Sequence, residues 1–119
     1  MTEIGKELLG KVALITGGAR PKGQGAAEGR LFASRGATVI LADVIDEEGE
    51  RTAGEIERAE YAHLDVTSEQ EWDDVVADVM SRHGRLDVLI NNAGIAPMGR
   101  LVNATRRGFF WVCEPQLGP

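Results

Sequence analysis

Lys11-Val12-Ala13-Leu14-Ile15-Thr16-Gly17-Gly18-Ala19-Arg20-Pro21-Lys22-Gly23-Gln24-Gly25 is the stretch on which the reading of the chain turns. Its first half is a short, nearly all-apolar run, the pattern of a strand buried on both faces in a parallel sheet. Its second half is a glycine-rich turn into a helix predicted from Gln24 to Arg35, with Ala27, Leu31 and Ser34 at helical spacing, Phe32 beside them and Gly36 as a stop. Outward from there the pattern repeats. Thr38-Val39-Ile40-Leu41-Ala42 is β-branched and apolar and ends at Asp43. Asp46, Glu47 and Glu48 then open a helix that is predicted to run to about Arg58. Only Ala53 and Ile56 are clear apolar contacts there, and Gly49 and Gly54 weaken it. Tyr61-Ala62-His63-Leu64 reads as a third strand, leading into Asp65-Val66-Thr67. Ser68 and Glu71 form a capping box, behind which Trp72, Val75, Val76, Val79 and Met80 make an amphipathic helix that Gly84 ends. Leu86-Asp87-Val88-Leu89-Ile90 is a fourth strand, closed by Asn91-Asn92-Ala93-Gly94.

The order β-α-β-α-β-α-β calls for an α/β fold, a doubly wound parallel sheet with right-handed crossovers and strand order 3-2-1-4. Its ligand crevice is expected past the carboxyl ends of strands 1 and 4, where every unusual motif of the chain falls. At 119 residues the chain is at most one domain, since domains run roughly 100–200 residues. Thirteen Lys and Arg against nineteen Asp and Glu leave a net charge of -6, which argues against wrapping a nucleic acid or coating an anionic membrane. No apolar run approaches the ~20 residues of a membrane helix. The start, Met1 to Glu7, lacks the basic and apolar segments of a secretory signal, and the single cysteine, Cys113, fits a reducing cytoplasm. His63 and His83 have no third clustered ligand, so no metal site is expected.

The glycine turn has two readings. Its glycines let the backbone approach a pyrophosphate, with the helix N-terminus supplying free N–H groups; the same residues suit an ordinary flexible connection. A strict G-x-G-x-x-G fails, because Glu28 stands where its last glycine belongs, and Lys22 lacks the Walker A context. Asp43 lies eighteen residues past Gly25 at a strand end, where an acid accepts hydrogen bonds from the ribose hydroxyls of NAD and repels the 2′-phosphate of NADP.

With these residues in view, the sequence resembles a classical short-chain dehydrogenase/reductase over residues 8–102, leaving 103–119 as an atypical tail. The likeness rests on Thr16-Gly17…Gly23-Gln24-Gly25, Asp43-Val44, Asp65-Val66-Thr67 and Asn91-Asn92-Ala93-Gly94-Ile95 in that order. It implies a Rossmann-like sheet, incomplete at about four strands, and an NAD site. The implied cofactor-binding residues are Gly17, Arg20, Gly23, Gln24, Gly25, Asp43, Val44, Asp65, Val66, Asn92, Ala93 and Gly94. In this likeness the glycines cradle the pyrophosphate, Asp65 and Val66 lie against the adenine, and the Asn-Asn-Ala-Gly turn braces the sheet and lines the cleft. Five residues, Gly18 to Lys22, stand where the family has three, so Pro21-Lys22 reads as an insertion.

The family's proton relay uses a tyrosine with a lysine four residues later, because a phenol of pKa near 10 needs a neighbouring positive charge to act near neutrality. Tyr61 is the only tyrosine, Asp65 stands four residues after it, and no lysine follows Lys22. No catalytic residue is assigned. Asn103 to Phe110 resembles the family's asparagine-bearing helix arriving too early, or is unrelated sequence. The expectation is therefore a truncated relative, inactive alone. The alternatives are a non-catalytic dinucleotide-binding module, a regulatory partner of a full-length relative, or a functionless fragment. An uncovered apolar edge at the fourth strand would favour self-association.

Overall fold

In the computed structural model, residues 6–92 are described, and strands alternate with helices throughout. The elements are β1 (Val12–Thr16), α1 (Gln24–Ser34), β2 (Thr38–Asp43), α2 (Asp46–Gly54), β3 (Ala59–His63), α3 (Glu69–His83) and β4 (Val88–Asn91). The strands pair in parallel in the order β3-β2-β1-β4, the doubly wound order expected. Register sets Thr16 beside Ala42 and Asn91, and Asp43 beside His63, so all four carboxyl ends finish on one side. No helix among the described residues is long and apolar enough to cross a membrane.

Side chains alternate across the strands, which splits the core in two. Val12 and Leu14 of β1 with Ile40 and Ala42 of β2 face α3, where Trp72, Val75 and Val79 cover them. Ile15, Val39 and Leu41 face the other way, toward Ala33, Ala53 and Ile56. Trp72 is fully buried, and its indole N–H is satisfied by the Val66 carbonyl at 2.8 Å.

Helix α1 packs by a different face from the one its larger residues suggest. Gly25, Ala26, Gly29 and Ala33 are buried, while Leu31 is 50% exposed and Ala27 and Ser34 face solvent. The cause is closeness: a Cβ on Gly29 would come within 2.9 Å of the Leu41 side chain, so the contact face is made of small residues that carry little hydrophobic signal. Helix α2 ends at Gly54, four residues short of Arg58. Glu55 and Ile56 N–H groups bond three residues back, and Arg58 turns to φ 68 to give its carbonyl to the Val39 N–H at 2.9 Å. The third strand thereby starts at Ala59, two residues earlier than the sequence suggests. At α3 only half of the capping box forms. The Ser68 hydroxyl accepts from the Glu71 N–H, but the Glu71 carboxylate reaches back to the Asp65 N–H at 2.7 Å instead of to Ser68. Met80, counted with the apolar stripe, is 45% exposed.

Gly49 is a contact rather than a defect of α2. A Cβ there would lie 2.2 Å from the Tyr61 ring, so the absence of a side chain lets α2 sit on β3. Gly54 is exposed with nothing within 4 Å of its notional Cβ. The two glycines should respond oppositely to alanine. Gly54→Ala is expected to stabilise the chain by about 0.4–1 kcal/mol, and Gly49→Ala to destabilise it by about 1–3 kcal/mol through overpacking. Urea denaturation midpoints of both variants check this; a gain at Gly49 would show that Tyr61 does not set the helix-to-sheet distance.

Candidate functional site

At the carboxyl end of β1 the chain makes a sequence of hydrogen bonds that tie the turn to its neighbours. The buried Thr16 hydroxyl donates to Asn91 Oδ1 at 2.6 Å and accepts from the Asn92 N–H at 3.0 Å, joining β1 to β4. Asn92 Nδ2 donates to one oxygen of Glu28, and Gln24 Nε2 donates to the other at 3.2 Å, linking that strand end to α1. Gly17, at φ +70, turns the chain across β2, so that the N–H groups of Gly17 and Gly18 both reach the Ala42 carbonyl. The Ala19 N–H then donates to Asp43 Oδ2 at 3.0 Å, and its carbonyl accepts from the Thr52 hydroxyl at 2.6 Å. Gly25 needs its missing side chain, since a Cβ would meet the Gly17 carbonyl at 2.6 Å. Further along the turn, the Gly23 N–H bonds back to the Arg20 carbonyl, and the Arg30 guanidinium donates to the Pro21 carbonyl at 2.5 Å.

These ties leave a cleft of about 450 Å³ over the strand ends, lined by Gly17, Arg20, Asp43, Val44, Ile45, Leu64, Asp65, Val66 and Asn92. That volume suits a small-molecule ligand. Seven of the residues singled out from the sequence therefore converge here. Gly23, Gln24 and Gly25 form the entry to α1 beside the cleft without lining it. Ala93 and Gly94 lie outside the described residues, as does Asn103. Ile45 and Leu64 complete the lining; nothing in the sequence distinguishes them beyond being apolar residues close to Asp43 and Asp65. Glu28 and Thr52 were missed too, because single polar residues in a helix carry no motif, and Thr16, though part of the glycine motif, was given no role of its own.

Carboxylates dominate the rim. Asp43 Oδ1 accepts from the Val44 N–H at 2.7 Å. Asp65 Oδ1 accepts from both the side chain and the N–H of Thr67, and these bonds hold its carboxyl below its usual range. The Tyr61 hydroxyl lies 2.7 Å from the Asp43 carbonyl and 2.6 Å from Asp46 Oδ1, so its one proton is shared between two acceptors. Burial, reinforced by Asp46, drives the Tyr61 pKa upward, away from any role as a base at neutral pH. His63 Nδ1 stands 2.7 Å from Asp46 Oδ1, with Glu71 at 3.7 Å from its other nitrogen. No cluster of three or more His, Cys, Asp or Glu side chains suited to a metal ion occurs among the described residues.

The glycine turn, the strand-end acid and the cleft across the switch in strand order define a doubly wound nucleotide fold. The chain belongs to the short chain dehydrogenase family, which it matches over residues 11–110. It is 45% identical over 95 residues to the 3-alpha-(or 20-beta)-hydroxysteroid dehydrogenase of Mycobacterium tuberculosis, covering 79% of this chain and 36% of that one. It is 42% identical over 108 residues to momilactone A synthase of Oryza sativa subsp. japonica, covering 87% and 39%. The chain thus spans a little over a third of the length of these curated relatives. Among solved structures it resembles the 3-ketoacyl-(acyl-carrier-protein) reductase of Brucella melitensis complexed with NADH, at TM-score 0.68 and 32% identity over 87% of this chain and 47% of that one. A short chain dehydrogenase of Mycobacterium smegmatis superposes at TM-score 0.73 with 29% identity, covering 88% and 50%.

The His63–Asp46 pair makes stability depend on pH with a definite sign. The hydrogen bond to Asp46 raises the His63 pKa above 6.5, and bonds from Tyr61 and then His63 lower that of Asp46 below 3.8. The contribution of a group with a raised folded pKa is full below its unfolded value and fades as pH rises through the folded one. The stability difference between wild type and His63→Gln should therefore be largest near pH 5–6 and shrink on the alkaline side. Thermal unfolding of both proteins from pH 5 to 9 measures it; a difference that stays constant across that range would contradict the pairing.

Proposed function

We propose that the cleft binds a nicotinamide dinucleotide and prefers NAD to NADP. The observation that carries this reading is Asp43, held at the cleft wall by the Ala19 and Val44 N–H groups, beside the Gly17 turn. A carboxylate offers about four lone-pair positions, so two backbone bonds leave acceptor capacity for the adenosine ribose hydroxyls. A 2′-phosphate at the same place would meet a like charge. The fit extends along the turn. Gly17, Arg20, Gly23, Gln24 and Gly25 would face the pyrophosphate at the start of α1, and Asp65 and Val66 the adenine. Val44 with Asn92 would complete the walls. Bound, the nicotinamide supplies or accepts a hydride in alcohol and ketone interconversion; the NADH complex of the Brucella reductase supports the choice of cofactor class.

This chain's own residues bind but do not relay a proton. The sequence holds no Tyr-x-x-x-Lys, and among the described residues the Tyr61 hydroxyl, committed to the Asp43 carbonyl and Asp46, does not serve as a base for the alcohol. A cytoplasmic setting, inferred from the single Cys113, belongs to the same reading. So does self-association along β4, the outermost strand on its side among the described residues, with Leu89 and Ile90 half-buried.

Calorimetric titration is expected to give saturable NAD binding with NADP at least tenfold weaker (about 1.4 kcal/mol), and Asp43→Ala to narrow that gap. Equal binding by wild type and variant would remove Asp43 from the site. Incubation of the chain with NAD(H) and a panel of secondary alcohols and ketones should leave absorbance at 340 nm unchanged; steady turnover would refute the binding-only reading. Size-exclusion chromatography at several concentrations should show species larger than the monomer.

A further inference from the structure

We propose that Thr52, a residue of α2 outside the cleft, is a positioning residue that sets the discrimination between NAD and NADP. The assignment rests on the dinucleotide reading above. Thr52 is 2% exposed, and its hydroxyl donates to the Ala19 carbonyl at 2.6 Å. A threonine inside a helix can return its hydroxyl to its own helix backbone; this one reaches across to the turn. The opposite side of the same residue, the Ala19 N–H, is the donor that holds Asp43 Oδ2 at 3.0 Å. Ala19 is therefore gripped at both its N–H and its carbonyl, by groups from α2 and β2.

The consequence is directional. Ala19 is fully buried, so a carbonyl deprived of Thr52 has no water at hand and must turn to find a donor. The carbonyl swings with the Ala19–Arg20 peptide and the N–H with the Gly18–Ala19 peptide, and the two planes meet at the Ala19 Cα; with the carbonyl side released, that Cα shifts and carries the N–H that aims Asp43 with it. Asp43 is half-exposed, and with the Ala19 bond gone its carboxylate keeps the Val44 N–H on one oxygen and pivots about it toward solvent. A loosened Asp43 loses hydrogen bonds to ribose hydroxyls and stops repelling a 2′-phosphate. Loss of Thr52 is then a loss of preference, unlike a general weakening of the fold, which lowers both affinities alike.

The test is fluorescence titration of the full chain with NADH and with NADPH, for wild type, Thr52→Val and Thr52→Ser. Valine keeps the shape and removes the hydroxyl; serine keeps the hydroxyl. Thr52→Val should weaken NADH binding about tenfold, the equivalent of about 1.4 kcal/mol, change NADPH binding by less than threefold, and so collapse the ratio. Thr52→Ser should stay near wild type on both. An unchanged ratio in folded Thr52→Val, or equal losses for the two cofactors, overturns the assignment. If Thr52→Val does not fold by circular dichroism, Thr52→Ala is judged by the same ratio, and Thr52→Ser with the ratio of the hydroxyl-free variant also counts against it. Wild type that binds neither dinucleotide overturns the reading of the cleft itself, whereas wild type that binds NADH while the variants match it overturns only the role of Thr52.

Discussion

Everything at the carboxyl end of the sheet depends on how tightly the turn after β1 lies against β2. Three successive N–H groups, from Gly17, Gly18 and Ala19, are all spent on that strand's end. Buried backbone donors must be paired, and here the pairing takes over from the β1–β2 ladder without a break. The geometry is possible only because Gly17 adopts a positive φ and Gly18 offers no Cβ, which would otherwise lie 2.9 Å from Leu41. The turn is thus an extension of the sheet for its first half and a surface loop for its second.

This arrangement explains which parts of the molecule could be read from the chain alone. Strand order, the position of the crevice and the convergence of Asp43, Asp65 and Asn92 follow from apolar runs ending in short polar motifs, a pattern that parallel sheets impose. The face of α1 was not legible. Its contact with the sheet is made by Gly25, Ala26, Gly29 and Ala33, and a periodicity built on large side chains points instead to Leu31, which is solvent-facing. The end of α2 was obscured for a related reason: Ile56 is buried as expected, but by a turn beyond the helix rather than by another helical turn. The half-formed capping box shows the limit of motif reading, because Glu71 finds a better-placed donor in Asp65 than the one its spacing suggests.

The polar groups around the cleft work as a connected frame. Tyr61, Asp46 and His63 tie the start of α2 to β3, and Glu71 ties the start of α3 to the turn after β3. Asp46 and His63 are exposed and Tyr61 and Glu71 half-buried, so the energetic weight of each ion pair is small. Their value lies in geometry: the beginnings of two helices and the ends of two strands are referenced to one another on the rim. Gly49, by admitting the Tyr61 ring, fixes the distance at which this referencing occurs.

The second half of the turn, which carries Pro21 and Lys22, is tied down separately from the first. The Pro21 carbonyl is held by Arg30 of α1, while the turn's buried beginning keeps its contacts with β2. Loop length and cleft shape are thereby uncoupled. The outer half of such a turn can change without redrawing the contour of the cleft, provided that a basic side chain on the following helix is there to hold it.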